Sequence, residues 1–86
     1  MAHVTLLYFA SMREKLGREM EERALPESAR TVHDLIGWLV TQDADYASAF
    51  AEPAKLRCAI DQVLAPFDAP IAGAREIAFF PPVTGG

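Results

Sequence analysis

A chain of 86 residues with 51% hydrophobic and 23% charged residues has the length of one domain and an ordinary globular composition, which excludes a disordered or low-complexity chain. Eight Lys/Arg against 12 Asp/Glu leave a formal net charge of −4, and the basic residues are scattered. A nucleic-acid partner would want them clustered on one face, so none is expected.

One cysteine, Cys58, allows no internal disulfide, and a single thiolate with two distant histidines, His3 and His33, builds no zinc or iron–sulfur site. A reducing cytoplasm fits this usage. No opening segment joins a basic start to an apolar run and a cleavage site, and no apolar stretch approaches a bilayer span. The expectation is a soluble, unprocessed chain with no membrane partner.

In chain order, His3-Val-Thr-Leu-Leu-Tyr-Phe-Ala10 is β-branched and aromatic and apolar on both alternating faces, which predicts a central strand. Ser11 stands three residues before Glu14 in a capping-box pattern, and Gly17 can close a short helix over residues 12–16. Residues 19–25 are charged and alternate poorly. They read as an edge strand returning antiparallel to the first, ended by Pro26.

Thr31 then caps a segment with Val32, Leu35, Ile36, Leu39 and Val40 at helical spacing, with Asp34 in the capping-box position. This is the main helix, with one apolar stripe. Tyr46 and Phe50, four apart, mark a second short helix over residues 45–52, stopped by Pro53. Leu56, Cys58 and Ile60 alternate with Arg57 and Asp61 in a half-buried strand, Val63–Ala65 forms a short strand after a tight turn, and Ile71-Ala-Gly73 turns into a last strand, Glu76–Phe80. This order fits a mixed sheet of about five strands with the main helix on one face and the first and last strands parallel at its centre. That is an α+β architecture, the β-grasp or ubiquitin-like fold, in a single domain of residues 1–86.

The last residues, Phe80-Pro-Pro-Val-Thr-Gly-Gly86, carry the chemistry. Pro81 and Pro82 favour extended backbone, and Gly85 and Gly86 remove every side chain from the end, so residues 81–86 read as a flexible tail with a bare tip. A tip of this kind can thread a narrow channel to ATP, where a carboxylate is adenylated and then attacked by a thiol, a persulfide or an amine. At the root of the tail, Phe9, Phe80 and Leu64 are candidates for an apolar patch on the sheet face that one helix leaves uncovered, unless residues 43–55 lie over them. Cys58 shares the alternating face of Leu56 and Ile60 and reads as a small buried hydrophobe, His33 as surface and Trp38 as core edge. No Ser/His/Asp set, phosphate loop or paired catalytic carboxylates can be identified, so the chain is not expected to be a complete enzyme alone.

Leu7-Tyr-Phe-Ala-Ser-Met-Arg-Glu14 and Glu76-Ile-Ala-Phe-Phe-Pro-Pro-Val-Thr-Gly-Gly86 resemble the small subunits of molybdopterin synthase, the MoaD-like sulfur carriers, and the likeness runs over essentially the whole chain. It implies that an ubiquitin-activating-like adenylyltransferase uses ATP to adenylate Gly86, that a sulfur-donating enzyme leads to a Gly86 thiocarboxylate, and that Gly85 gives access. It also implies docking on the synthase large subunit in a heterotetramer, where sulfur passes to cyclic pyranopterin monophosphate to form the molybdopterin dithiolene. No resident cofactor or metal is implied. Phe9, Leu64 and Phe80 match the family's apolar docking surface, with Pro81 and Pro82 beside it, and Arg13 matches an arginine that meets the large subunit. Where the family has a Gly-Asp-Glu turn, this chain has Ala74-Arg75-Glu76. Alternative readings are the sulfur carrier of thiamin synthesis, a protein modifier conjugated through Gly86 and an interaction module with an inert tail.

Overall fold

The computed structural model describes residues 3–82. Along the chain come β1 (His3–Tyr8), α1 (Ser11–Leu16), β2 (Met20–Ala24), α2 (Val32–Leu39), α3 (Ala44–Ala49), a 3₁₀ turn (Pro53–Lys55), β3 (Arg57–Ile60), β4 (Val63–Ala65) and β5 (Glu76–Phe80). The five strands form one sheet in the order β2-β1-β5-β3-β4. β1 and β5 run parallel while the other neighbours are antiparallel, so the expected mixed β-grasp sheet is present with β5 at its centre.

Alternation decides what each strand buries. Val4, Leu6 and Tyr8 from β1, Ile77 and Phe79 from β5 and Cys58 from β3 join Val32, Leu35, Ile36 and Leu39 of α2 in one core. Each such side chain contributes about 1.5–3 kcal/mol on full burial. Helix α2 starts where the sequence indicates. Thr31 accepts from the Asp34 amide at 3.1 Å and Asp34 closes the reciprocal half of the capping box. Two further free amides of its first turn, on Val32 and His33, donate to the carbonyls of Ala69 and Phe67. The segment between β4 and β5 thus acts as a second cap for α2.

Three boundaries differ from expectation. Ser11 is the first residue of α1 and not its cap; Ala10 stands before it at φ 52° with no side-chain cap, and the first-turn amides of Met12 and Glu14 reach the Phe9 and Ala10 carbonyls instead. Backbone acceptors at the end of β1 do the work assigned to the serine. Helix α3 runs from Ala44 to Ala49: Asp43 caps it through the Asp45 amide one residue before the expected start, and Pro53 opens a separate 3₁₀ turn beyond its end. The first strand closes at Tyr8, since the chain turns at Ala10. Gly17 does take the left-handed conformation that ends α1, at φ 71°.

Candidate functional site: the open sheet face and the root of the tail

β5 carries the chain out of the centre of the sheet into Pro81 and Pro82, both half-buried. The two prolines border a depression of about 290 Å³ with Ser11, Met12, Lys15 and Lys55, between the start of α1 and the 3₁₀ turn. Gly85 and Gly86, on which the sequence reading of the chemistry rests, lie outside the described residues.

The sheet face away from α2 stays open. Phe9 is 50% exposed and Leu64 68% exposed, while Phe80 is half-buried. Residues 43–55 do not lie over them. Phe50 at the end of α3 is buried on the opposite side, edge-on to Phe79 with ring centroids 5.0 Å apart. Phe9 and Phe80 are brought together at the tail end, where the Phe9 amide donates to the Phe79 carbonyl at 3.1 Å. Leu64 lies two strands from Phe80, on β4. Arg13 projects from α1 beside this surface and pairs with Glu19 at 3.6 Å, both largely exposed. One residue on the same surface, Met20, is not evident from the sequence. Met20 is 57% exposed, and its Cα is in register with that of Leu7, so it extends the apolar face over the β2 edge. The signal lay in the poor alternation of β2, which hides one apolar residue among charges.

The Ala74-Arg75-Glu76 departure has its own local solution. The β3–β4 turn places Asp61 and Gln62 at positive φ, and the Asp61 carboxylate accepts the amides of Arg75 and Glu76, each at 2.9 Å. A side chain from another strand thereby holds the entry to β5.

On the helix side, Glu21 of β2 accepts hydrogen bonds from Tyr8 at 2.6 Å and Tyr46 at 2.5 Å, with Arg18 at 3.1 Å and Arg23 at 3.6 Å. Burial raises the Glu21 pKa, but the tyrosine hydroxyls and the two guanidinium groups outweigh it and hold the carboxyl below the usual range. Burial and the neighbouring carboxylate push both phenols up. Arg23 also stacks 4.9 Å over Trp38, which is half-buried at the edge of the core. This cluster joins β1, β2 and α3 at the edge of the core. Periodicity could not reveal it, because its members come from three elements. His33 is exposed.

Cys58 is fully buried, its thiol donates to the Ala65 carbonyl at 3.2 Å, and burial pushes its pKa up. A protonated, enclosed thiol is a poor nucleophile. Among the described residues no group of three or more His, Cys, Asp or Glu side chains could hold a metal ion, and no helix is long and apolar enough to cross a membrane.

The model of the ThiS family matches residues 6–86, from the core of β1 through the final glycines. The chain belongs to the ThiS family. It is 40% identical over 83 residues to the molybdopterin synthase sulfur carrier subunit of Escherichia coli, a match covering 96% of this chain and 99% of that one. With the protein of the same name from Haemophilus influenzae the identity is 36% over the same shares. Among solved structures, a putative molybdopterin converting factor, subunit 1, from Pyrococcus furiosus superposes with a TM-score of 0.72 at 27% identity, covering 96% of this chain and all of that one. The small archaeal modifier protein 1 of Haloferax volcanii superposes with a TM-score of 0.70 over 96% of this chain and all of that one; its 22% identity speaks for the shared fold alone.

Proposed function

We propose that this chain is the sulfur carrier subunit of a molybdopterin synthase, working in the cytoplasm through a free carboxylate at Gly86. The observation that carries the reading is the near-full-length identity to molybdopterin synthase sulfur carrier subunits, together with a family match that runs to Gly86. The geometry supports it. The central strand leads straight into the Pro81-Pro82 stalk, beside an apolar face that nothing among the described residues covers.

In this mechanism an adenylyltransferase of the ubiquitin-activating type brings the Gly86 carboxylate to ATP. The carboxylate oxygen attacks the α-phosphorus, pyrophosphate leaves, and the resulting acyl-adenylate is a strong electrophile. Hydrosulfide-level sulfur supplied by a sulfur-donating enzyme attacks the acyl carbon and displaces AMP, leaving a thiocarboxylate. The carrier then docks on the large subunit of the synthase and extends its tail into the partner's active site. There the tethered sulfur acts at high effective concentration on cyclic pyranopterin monophosphate, building the dithiolene.

The carrier contributes position and cargo; the large subunit contributes the catalytic groups. Glycine at 85 and 86 allows the tip to pass a channel too narrow for a side chain. Cys58 takes no part, because its thiol is enclosed under β4.

Intact-mass measurement of the protein purified from its own cells tests the reading, the expected species carrying sulfur in place of one terminal oxygen. A chain extended by one residue beyond Gly86 is expected to fold normally and to accept no sulfur. Sulfur acceptance by the extended chain, or isolation of Gly86 in isopeptide linkage to lysines of other proteins with no thiocarboxylate, overturns it.

A further inference from the structure

Strand register arranges the open face in rows. Across all five strands, Met20, Leu7, Ala78, Ala59 and Leu64 stand in line, each in register with the next. Four strand spacings make this apolar row about 19 Å long. Large side chains at its two ends and alanines between them give a shallow trough rather than a flat surface. At the β2 end, Leu7, Phe9 and Met20 border a depression of about 270 Å³ rimmed by Arg13 and Glu19.

The next row away from the tail is of the opposite character. Glu22, Thr5 and Glu76 are in register, and the Asp61 amide donates to the Glu76 carbonyl at the far side. Glu22 and Glu76 are two strand spacings apart, about 10 Å, and neither makes an ion pair among the described residues. Arg75 borders the depression shared by Asp61 and Glu76 without forming an ion pair there. The carboxylates therefore stand unneutralised beside an apolar strip, on a chain already at −4.

We propose that the open face is a two-zone docking surface for a protein whose own patch sets an apolar zone beside a basic rim. The basic rim meets Glu22 and Glu76, and the apolar zone reaches across the sheet to Met20. This rests on the carrier reading, and it adds to that reading the charge of the partner's rim and the extent of the contact. Charge complementarity selects the occupant. Two copies of this chain would bring acidic rows together within a Debye length, where like charges repel. A partner with cations in register removes the repulsion between Glu22 and Glu76 as it buries the apolar row. The acidic row also sets orientation, because turning the partner about the sheet normal would lay its basic rim on the apolar strip.

The test is titration of the full-length chain with the purified large subunit of its own molybdopterin synthase. Raising salt from about 50 mM to about 500 mM is expected to weaken binding about tenfold or more. Glu22→Gln combined with Glu76→Gln should remove most of that salt dependence, whereas Met20→Ala should weaken binding about fivefold or more at every salt concentration. Thermal unfolding of each variant separates lost binding from lost folding. Should Glu76→Gln disturb β5, Glu22→Gln alone, on the exposed edge strand, carries the electrostatic arm. Salt-independent binding unchanged by Glu22→Gln overturns the proposal and leaves the carrier reading standing. Failure of the unaltered chain to bind the large subunit overturns both. Sedimentation of the chain alone as a dimer that Met20→Glu dissociates would give the face to a second copy and likewise overturn the proposal.

Discussion

Replacing Glu21 by alanine is expected to destabilise the fold strongly, because this charged residue of the edge strand holds two core tyrosines by their hydroxyls. The carboxylate is only 13% exposed and takes both tyrosine hydroxyls. Its removal leaves Tyr8, 1% exposed, with a buried donor and no acceptor, at a cost of about 1–3 kcal/mol. Tyr46 loses the same acceptor but keeps Arg18 and Arg23 near its oxygen at 3.2 Å, and the relief of holding a carboxylate out of water offsets part of the loss. The ion pair to the more exposed Arg18 adds little. The net loss is about 2–3 kcal/mol, which for a domain of this size lowers the unfolding midpoint by about 10–20 °C.

Thermal and urea unfolding of Glu21→Ala, Tyr8→Phe and the double variant measure it. The double variant should be less destabilised than the sum of the singles by about 1 kcal/mol, since Tyr8→Phe removes the donor that Glu21→Ala strands. The pH dependence supplies a sign check. A carboxyl held below its ordinary value of 4.5 contributes stability that is present above that value and lost as pH falls through the lower folded value. The gap between Glu21→Ala and the unaltered chain should narrow in acid. A Glu21→Ala protein within about 0.5 kcal/mol of the unaltered one at pH 7 would refute the reasoning, as would a gap that widens in acid.

Phe80→Ala is expected to weaken binding to the synthase large subunit by about 2 kcal/mol or more while costing less in folding, because Phe80 is only half-buried beside exposed Phe9; calorimetry and thermal unfolding on the same variant decide, and the reverse ranking would assign Phe80 to the core. Cys58→Ala should leave thiocarboxylate formation intact in an assay with purified partners. Cys58→Ser should fold better than burial of a bare hydroxyl would allow, since the Ala65 carbonyl already accepts from the thiol at 3.2 Å; loss of sulfur acceptance in a well-folded alanine variant would put Cys58 in the relay.

Much of the architecture follows from local patterns that act over a few residues. The stripe of Val32, Leu35, Ile36 and Leu39 with Thr31 and Asp34 before it commits α2 to its place and its buried face. The alternation of Val4, Leu6 and Tyr8 and of Ile77 and Phe79 commits two strands, and a parallel pair at the centre follows from their order with the helix between. The Pro-Pro and Gly-Gly end is legible for the same reason: proline and glycine act on the backbone wherever they stand.

What only the tertiary structure decided depends on pairing between distant segments. Residues 43–55 leave Phe9, Phe80 and Leu64 uncovered because Phe50 packs on the core side against Phe79, a contact between distant segments. The Ser11 cap failed because the carbonyls of Phe9 and Ala10 came within reach of the α1 amides. Glu21 gives no local sign of its two tyrosine partners, which arrive from β1 and α3. Nor do the rows of the open face exist along the chain. Met20 and Leu64 belong to one apolar line, and Glu22 and Glu76 to one acidic line, solely because register aligns five strands, and register is a property of paired strands that no single strand encodes.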